Sequence, residues 1–186
     1  AQTQAIRDKL LEFKESGKFI FAYSDFYDQK NYYLSSVADS IFLNPVGAID
    51  FKGLVSEVLY FKDFEENTGV KMEVIRHGKY KSAVEPYLDD YMSKENRTQI
   101  QSFLDDIWGT LLRDIATSRA LGEEVLNKHA DNLAGGNAQK AMAAALVDGT
   151  ATRRGYKEKL ASRFNTDEVE TSNFADYMSV AGRKKG

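Results

Sequence analysis

Helix-like and strand-like segments alternate through the first part of the chain, and this alternation constrains the fold more than any other feature. Two short segments, residues 19–23 and residues 40–43, are largely apolar along their whole length. A strand that is apolar at nearly every position is typical of a parallel sheet covered by helices on both faces. The alternation therefore predicts an α/β fold with a mainly parallel sheet.

Residues 1–92 are predicted to form this α/β core. The first helix covers residues 4–16, places Ile6, Leu10 and Phe13 on one face, and ends at Gly17. Asn44-Pro45 is expected to end the strand at residues 40–43. The other predicted elements are helices at 32–38 and 54–66, strands at 48–51 and 72–75, and the strand at 19–23.

Residues 93–165 are predicted to form a helical extension. A long helix begins at the N-cap Ser93 and runs to Leu121, where Gly122 ends it. Two further helices are expected. One covers residues 138–146, between Asn137 and Gly149, and the other covers residues 152–164 and has a basic outer face. Residues 166–186 are expected to form a linker. The apolar stripe of the long helix consists of Ile100, Phe103, Leu104, Ile107, Leu111, Leu112 and Ile115.

Composition excludes several classes of function. The 186 residues carry 25 basic and 28 acidic side chains, a net charge of -3, which argues against a protein that binds nucleic acid through bulk positive charge. No apolar run reaches the roughly 18 residues of a membrane span. The absence of cysteine removes thiolate chemistry, and with only His77 and His129 we expect neither a metal nor a cofactor.

Searches for common catalytic motifs leave one candidate segment. No phosphate-binding glycine motif and no Gly-x-Ser-x-Gly elbow occurs, and Gly135-Gly136 is predicted to be a turn. Residues 77–86 follow the strand predicted at 72–75, and ligands usually bind at the carboxyl end of such a strand. From composition alone Lys81 is an ordinary solvated lysine.

Residues 78–86, GKYKSAVEP, resemble the lysine motif of the bacterial signal peptide peptidase A family, in its long tandem-repeat form. The similarity covers roughly residues 5–150. It is supported in order and spacing by Tyr32-Tyr33-Leu34, Ala38-Asp39-Ser40-Ile41, Asn44-Pro45, Gly53-Leu54 and the polar stretch 89–97.

The resemblance implies a Clp protease/crotonase-like fold and a membrane-associated serine endopeptidase that degrades cleaved signal peptides with a Ser/Lys dyad. Carried over by motif, the general base is Lys81 and not Lys79, because the lysine lies between the tyrosine and the serine. Gly78, Tyr80, Ser82 and Glu85 belong to the same motif.

The resemblance also implies that the nucleophile lies elsewhere. In the half of such proteins that bears the serine, an Ala-Ser-Gly-Gly-Tyr stretch opens a helix, whereas this chain has residues 28–32 there, with Gln29 in the nucleophile position. Glutamine cannot attack a carbonyl, so we expect the lysine-bearing N-terminal half of a longer protein. The absence of an initiator methionine agrees with a processed or excised piece, inactive by itself.

The family further implies signal peptides and other apolar peptides as substrates, a homo-oligomer such as a tetramer, and a catalytic part on the extracytoplasmic side of the bacterial membrane. The piece itself is expected to be soluble. No nucleic-acid partner is expected.

A lysine base must be neutral at working pH, although an unperturbed lysine has a pKa of about 10.4. Burial lowers that pKa, and Tyr80, Ala83, Val84 and Pro86 offer apolar surroundings. Glu85 would oppose this shift if its carboxylate reached the amine, and we favour the alternative that Glu85 caps a nearby backbone group.

Two other functions stay open. One is a crotonase-type acyl-CoA enzyme, which is disfavoured because glycine-rich turns that could stabilise an enolate are sparse before Gly47. The other is a non-catalytic scaffold domain, in which the long amphipathic helix packs between subunits and Lys81 is an ordinary charge.

Overall fold

The computed structural model describes residues 2–70, 73 and 84–183. Its described residues form two compact units, one from Ala1–Phe51 with Leu133–Gly186 and the other from Lys52–Asn132. The boundaries predicted at residues 92 and 165 stay predictions. The elements are α1 (Gln2–Glu15), β1 (Phe21–Tyr27), α2 (Gln29–Ser35), β2 (Ser40–Ile49), α3 (Lys62–Thr68), α4 (Glu85–Leu88), α5 (Lys94–Arg119), α6 (Glu123–Asp131), α7 (Ala138–Ala143), β3 (Gly149–Thr150), α8 (Arg153–Phe164) and α9 (Phe174–Arg183).

The described strands form a parallel sheet in the order β1-β2-β3, which confirms the predicted α/β class. Phe21 pairs with Ser40, and β3 pairs with β2 through Gly149 opposite Phe42. The strand predicted at residues 72–75 lies outside the described residues, apart from Glu73.

The prediction that Asn44-Pro45 ends the second strand, with a separate strand at residues 48–51, is wrong: β2 continues through both residues to Ile49. The register shifts there, so that Asp25 of β1 lies opposite residues 44–47 of β2. The Asn44 side chain accepts a hydrogen bond from the Val46 N–H at 3.1 Å. A Cβ on Gly47 would come within 2.3 Å of the Asp25 carbonyl oxygen, so glycine permits this bulge and the pairing resumes beyond it.

The core of the first unit lies where α2 and α7 pack on β2. Ile41 and Leu43 of β2 are fully buried, as are Tyr32 of α2 and Leu146 after α7. The Tyr32 hydroxyl donates to the Leu146 carbonyl at 2.9 Å, which satisfies a buried polar group.

Helix α8 packs on β1 and β2 through aromatic side chains. Successive strand residues point to opposite faces, so Phe42 points away from the face of Ile41 and Leu43. On that side Phe42 meets the Tyr156 ring at 5.6 Å, and Tyr156 also stacks on Tyr23 at 5.0 Å. The helix predicted at residues 152–164 is thereby confirmed, with the Thr152 hydroxyl as its N-cap acceptor.

Helix α1 forms as predicted, but its buried side chain is charged. Ile6 and Phe13, placed on the expected apolar face, are 53% and 43% exposed, whereas Arg7 is 2% exposed. The Arg7 guanidinium donates to the Tyr33 carbonyl and to the Ser36 hydroxyl, and its carbon lies 4.6 Å from the centre of the Tyr33 ring. This charge-assisted contact joins α1 to α2.

The helix predicted at residues 54–66 is wrong in its first half, because α3 begins at Lys62. The Phe61 N–H donates to the Pro86 carbonyl at 2.7 Å, outside any helical ladder. Val55 and Leu59 are 81% and 71% exposed, so no apolar face stabilises a short helix there. The predicted end near Gly69 is confirmed by its left-handed conformation, φ 71°.

The long helix of the second unit, α5, begins at the predicted N-cap Ser93. It ends at Ala120 in the left-handed conformation and not at Gly122, because Gly122 is the N-cap of α6, a helix missed in the sequence. The apolar stripe is buried at Leu112 and Ile115 and exposed at Phe103 and Ile107.

The remaining predictions hold in part. Asn137 caps α7 as expected, and the turn predicted at Gly135-Gly136 is confirmed by a hydrogen bond from the Gly136 N–H to the Leu133 carbonyl at 2.9 Å. Gly149 begins β3 and does not end α7, which stops at Ala143. Residues 166–186, predicted to form a linker, include α9.

We predict that Arg7→Ala lowers the free energy of unfolding by about 2–4 kcal/mol, because a buried carbonyl and a hydroxyl lose a charged donor and the guanidinium stem loses its packing. Urea unfolding followed by circular dichroism measures this. Lys9→Ala, on the exposed side of the same helix, is the control and should change stability by no more than about 0.5 kcal/mol. Equal effects of the two variants would contradict the role of Arg7.

We also predict a pH-dependent contribution from Asp39. Partial burial raises the pKa of Asp39, but hydrogen bonds from Lys14 and from the Ile20 N–H outweigh it and hold the pKa below its ordinary value. Stability from this carboxylate is therefore present above its unfolded pKa of about 3.9 and is lost as the pH falls through the folded pKa. The stability difference between the parent chain and Asp39→Asn should be at most about 1 kcal/mol at pH 7, since Asp39 is exposed, and should shrink below pH 4.

Candidate active site

The carboxyl end of β1 turns directly into the N-terminus of α2. Asp28 lies between them as the N-cap, and its carboxylate accepts from the Asn31 N–H at 2.6 Å and from the Asn31 amide at 2.9 Å. Gln29 is the first residue of the helix and is half-buried. A strand-to-helix turn of this kind can present a nucleophile above a parallel sheet, but a glutamine amide is not one.

Helix α2 is held rigidly behind this turn. Tyr27, which ends β1, is buried and donates from its hydroxyl to the Phe42 carbonyl at 3.1 Å; burial raises the pKa of Tyr27. The Tyr32 ring meets the Tyr27 ring edge-on at 6.3 Å and the Phe51 ring at 5.8 Å. Gln29 therefore begins a well-packed helix.

Most of the predicted lysine motif lies outside the described residues. Gly78, Tyr80, Lys81 and Ser82 are among the residues that the structure does not describe, so their roles stay predictions. The structure describes the end of the motif, from Val84, with Glu85 and Pro86 at the start of α4.

Glu85 is a buried carboxylate, 3% exposed, at the N-terminus of α5. It accepts from the Ser93 hydroxyl at 2.6 Å, from the Asn96 side-chain amide at 2.8 Å and, more distantly, from the Ser93 N–H at 3.4 Å. These donors stabilise the charged form, and the positive end of the α5 dipole adds to the effect. Glu85 thus accepts from a backbone group, as the preferred sequence interpretation proposed, and also from two side chains.

The sequence did not reveal that Ser93 and Asn96 both contact Glu85. Ser93 was predicted as an N-cap, and its hydroxyl does accept from the Asn96 N–H at 3.1 Å. Asn96 is buried, which is unusual for an asparagine in a first helical turn. The motif ending at Pro86 and the first turn of α5 are therefore one polar cluster, Glu85–Ser93–Asn96.

Residues 60–62 flank the end of the motif. The Phe61 ring stacks on the Tyr87 ring at 5.6 Å, beside the Phe61–Pro86 backbone hydrogen bond. Lys62 pairs with Asp90 at 2.8 Å, and this hydrogen bond raises the pKa of Lys62. Desolvation, with the nearby charge of Glu85, raises the pKa of Tyr60.

No cluster of three or more His, Cys, Asp or Glu side chains that could hold a metal ion occurs in the part of the chain that the structure describes. Within the same residues, no helix is long and apolar enough to cross a lipid bilayer.

The family model of peptidase family S49 matches residues 12–167, a span that contains both α2 and the lysine motif. This chain belongs to peptidase family S49. The resemblance to signal peptide peptidase A seen in the sequence is thereby confirmed, as is the Clp protease/crotonase-like class of fold.

Curated relatives agree with the S49 assignment. Protease 4 of Haemophilus influenzae is 34% identical over 177 residues, which cover 90% of this chain and 29% of that protein. Protease 4 of Salmonella typhi is 32% identical over 88% of this chain and 28% of its own length. The chloroplast serine protease SPPA of Arabidopsis thaliana is 31% identical over 62% of this chain and 17% of its own. The chain thus spans less than a third of these relatives.

We predict that Glu85→Gln lowers the free energy of unfolding by about 1–3 kcal/mol, because the substituted amide leaves a buried donor of the Glu85–Ser93–Asn96 cluster without an acceptor. Glu95→Gln is a matched control, since it removes the same charge from the exposed first turn of α5 and should cost no more than about 1 kcal/mol. Urea unfolding of both variants measures the difference. Similar losses for the two would mean that helix-dipole charge, and not the buried cluster, explains the effect.

Proposed function

We propose that this chain is the lysine-bearing part of a serine endopeptidase of family S49, in which Lys81 is the general base. The observation that carries the proposal is the family match over residues 12–167, which includes the GKYKSAVEP motif. The position that opens α2 holds Gln29, and this supports a nucleophile supplied from outside these residues. The short share of the curated relatives that the chain spans agrees with such a division.

The reaction follows from the chemistry of a Ser/Lys pair. The neutral Lys81 amine takes the proton from the serine hydroxyl while the serine oxygen attacks the scissile carbonyl carbon. The resulting ammonium gives this proton to the leaving amine as the peptide bond breaks. A water molecule then hydrolyses the acyl-enzyme with the same amine as base, and the serine hydroxyl is restored.

This role requires Lys81 to be deprotonated at neutral pH. Desolvation is the effect that lowers a lysine pKa by several units, and a base with a pKa near about 7–8 is efficient. One feature of the structure supports a deprotonated Lys81. The carboxylate of Glu85, four residues further along the chain, accepts three hydrogen bonds from Ser93 and Asn96, which offset its negative charge.

The substrates and setting that we propose come from the family resemblance. Signal peptides released in the membrane, and other apolar peptides, are the proposed substrates. The proposed assembly is a homo-oligomer, such as a tetramer, at the bacterial cytoplasmic membrane, with its catalytic part on the extracytoplasmic side and with no bound cofactor.

A scaffold role is the second candidate. It is favoured by the exposed half of the α5 stripe, where Phe103 is 63% and Ile107 is 38% exposed. Large exposed apolar side chains in a row are typical of surfaces that pack against a partner. Under this alternative Lys81 takes no part in the chemistry.

We predict that Lys81→Ala, in the longer polypeptide that carries the serine, lowers kcat for a model signal peptide by about 10³-fold or more, because the serine loses its proton acceptor. Binding of the peptide should be retained. Lys79→Ala is the matched control, two residues away with the same charge change, and should keep kcat within about threefold. Cleavage assays with a fluorogenic peptide measure kcat for the two lysine variants.

Cleavage by Lys81→Ala at a rate within a few-fold of the parent would remove Lys81 from the chemistry and favour the scaffold. Loss of activity in both lysine variants would instead indicate a general effect of charge on this segment.

A further inference from the structure

A cavity of about 510 Å³ that the mechanism above does not use lies in the first unit, between β1, α8 and the segment that follows α8. Its lining includes Tyr23 and Asp25 of β1 and Arg153, Tyr156 and Lys157 of α8. Helix α8 begins soon after β3, and β1 and β3 both run parallel to β2, so the first turn of α8 lies at the carboxyl edge of the sheet. Ligands of α/β proteins usually bind at this edge, and the cavity is therefore a candidate binding site.

Two positively charged side chains of the lining are not neutralised within the part of the chain that the structure describes. Arg153 and Lys157 lie four residues apart on one face of α8, and neither side chain forms a hydrogen bond or an ion pair there. Arg154, by contrast, pairs with Glu158 at 2.8 Å and is not part of this lining. The carboxylates of Asp167-Glu168 share an adjoining cavity with the two cations but form no ion pair with them. The two cations can therefore bind an anion, and the positive end of the α8 dipole adds to the attraction.

Asp25 is a carboxylate of the same lining, and hydrogen bonds within the fold already compensate its charge. Its Oδ1 atom accepts from the Tyr23 hydroxyl at 2.6 Å and from the Asn44 amide at 2.7 Å. These two hydrogen bonds and, after them, the charge of Arg153 hold the pKa of Asp25 below its ordinary value. Arg153 thus lies near Asp25 without pairing with it. The charged side chains of the described lining are Asp25, Arg153 and Lys157, a net charge of +1, so the cavity still attracts an anion.

Aromatic and aliphatic side chains form much of the remaining lining. The Tyr23 and Tyr156 rings stack at 5.0 Å, and Leu160 and Val169 line the same cavity. A guanidinium binds a carboxylate through two parallel hydrogen bonds. A carboxylate directly beside an apolar side chain is the chemistry of the last residue of an apolar peptide. The volume of about 510 Å³ is within the range of small-ligand sites and can hold such a residue.

We propose that this cavity binds the C-terminal carboxylate of a peptide: Arg153 and Lys157 hold the carboxylate, and the terminal side chain packs against Tyr23 and Tyr156. The inference rests on the proposed peptidase function, since it describes how a substrate is selected. A peptide that has been cut from its precursor has a free carboxylate at its end, whereas the same segment within the precursor has an amide there. The cavity thus selects released peptides over intact precursors.

The test compares two fluorogenic peptides of the same apolar sequence, one with a free C-terminal carboxylate and one with a C-terminal amide. Cleavage is measured with the longer polypeptide that carries the serine, as the parent and as Arg153→Gln, Lys157→Gln and the matched control Arg154→Gln. For the parent we expect the KM of the acid peptide to be about tenfold below that of the amide peptide. The kcat values should agree within about twofold, since the carboxylate binds equally in the ground and transition states. The preference should be lost in Arg153→Gln, decrease in Lys157→Gln and persist in Arg154→Gln, with unchanged unfolding midpoints.

Several results would overturn the proposal. Equal KM values for the two peptides with the parent would do so, as would an undiminished preference in Arg153→Gln. A preference lost equally in Arg154→Gln would mean that the general charge of α8, and not the cavity, is responsible. Removal of the preference by inorganic phosphate at constant ionic strength would mean that the cavity binds any anion, which also contradicts a peptide site.

Lys81→Ala separates this proposal from the proposed function. If Lys81→Ala stays active, the role of Lys81 fails, and the preference for the acid peptide can still be measured. If Lys81→Ala is inactive while the parent has equal KM values for the two peptides, only the carboxylate site fails.

Discussion

The parallel pairing of β1 with β2 is the constraint on which the rest of the first unit depends. Parallel neighbours cannot be joined by a tight turn, so the chain must cross over between Tyr27 and Ser40, and α2 forms in that crossover. The bulge opposite Asp25 lets the pairing resume as far as Tyr27 and Ile49. The end of β1 is therefore fixed by backbone hydrogen bonds where α2 begins, and whatever residue follows Asp28 is presented from a rigid edge.

The second unit relies on a different kind of restraint. Its helices α4 and α5 are joined by a short segment, and the buried Glu85 carboxylate fastens the two together through Ser93 and Asn96. A buried charge is tolerated when donors surround it, and it is strongly destabilising when they are removed. The end of the lysine motif is thus held by a polar cluster, whereas the sheet unit is held by apolar packing around Ile41 and Leu43.

Local signals allowed the sequence to predict much of this architecture. The caps Ser93 and Asn137 were predicted because an N-cap is a contact over three residues. The continuation of β2 through Pro45 was missed, because a bulge depends on the partner strand and on the close approach at Gly47. The start of α3 was missed for a related reason, since the Phe61 N–H bonds to Pro86 far along the chain.

For the candidate site, too, local motifs could be predicted from the sequence and contacts between distant residues could not. A specific motif predicts Lys81 by resemblance, and Glu85 with it, because motifs are read from adjacent residues; the role of Lys81 stays a prediction. The hydrogen-bond partners of Glu85 could not be predicted in this way, because Asn96 contacts the carboxylate only after the chain turns between α4 and α5. Burial of Arg7 was equally hidden, because an arginine on a surface helix has no local mark that separates it from Lys9.

If Lys81 is the general base, as proposed, a carboxylate four residues along the chain at Glu85 poses an electrostatic problem. A carboxylate near an amine favours the ammonium and so raises the lysine pKa, the opposite of what a base needs. Here hydrogen bonds from Ser93 and Asn96, with the α5 dipole, draw the negative charge of Glu85 toward the helix. The same contacts fix residues 84–86, so the carboxylate anchors the described end of the motif while donors from Ser93 and Asn96 compensate its charge. Under the proposed role of Lys81, the carboxylate serves to position the motif, and desolvation is the effect that would lower the lysine pKa.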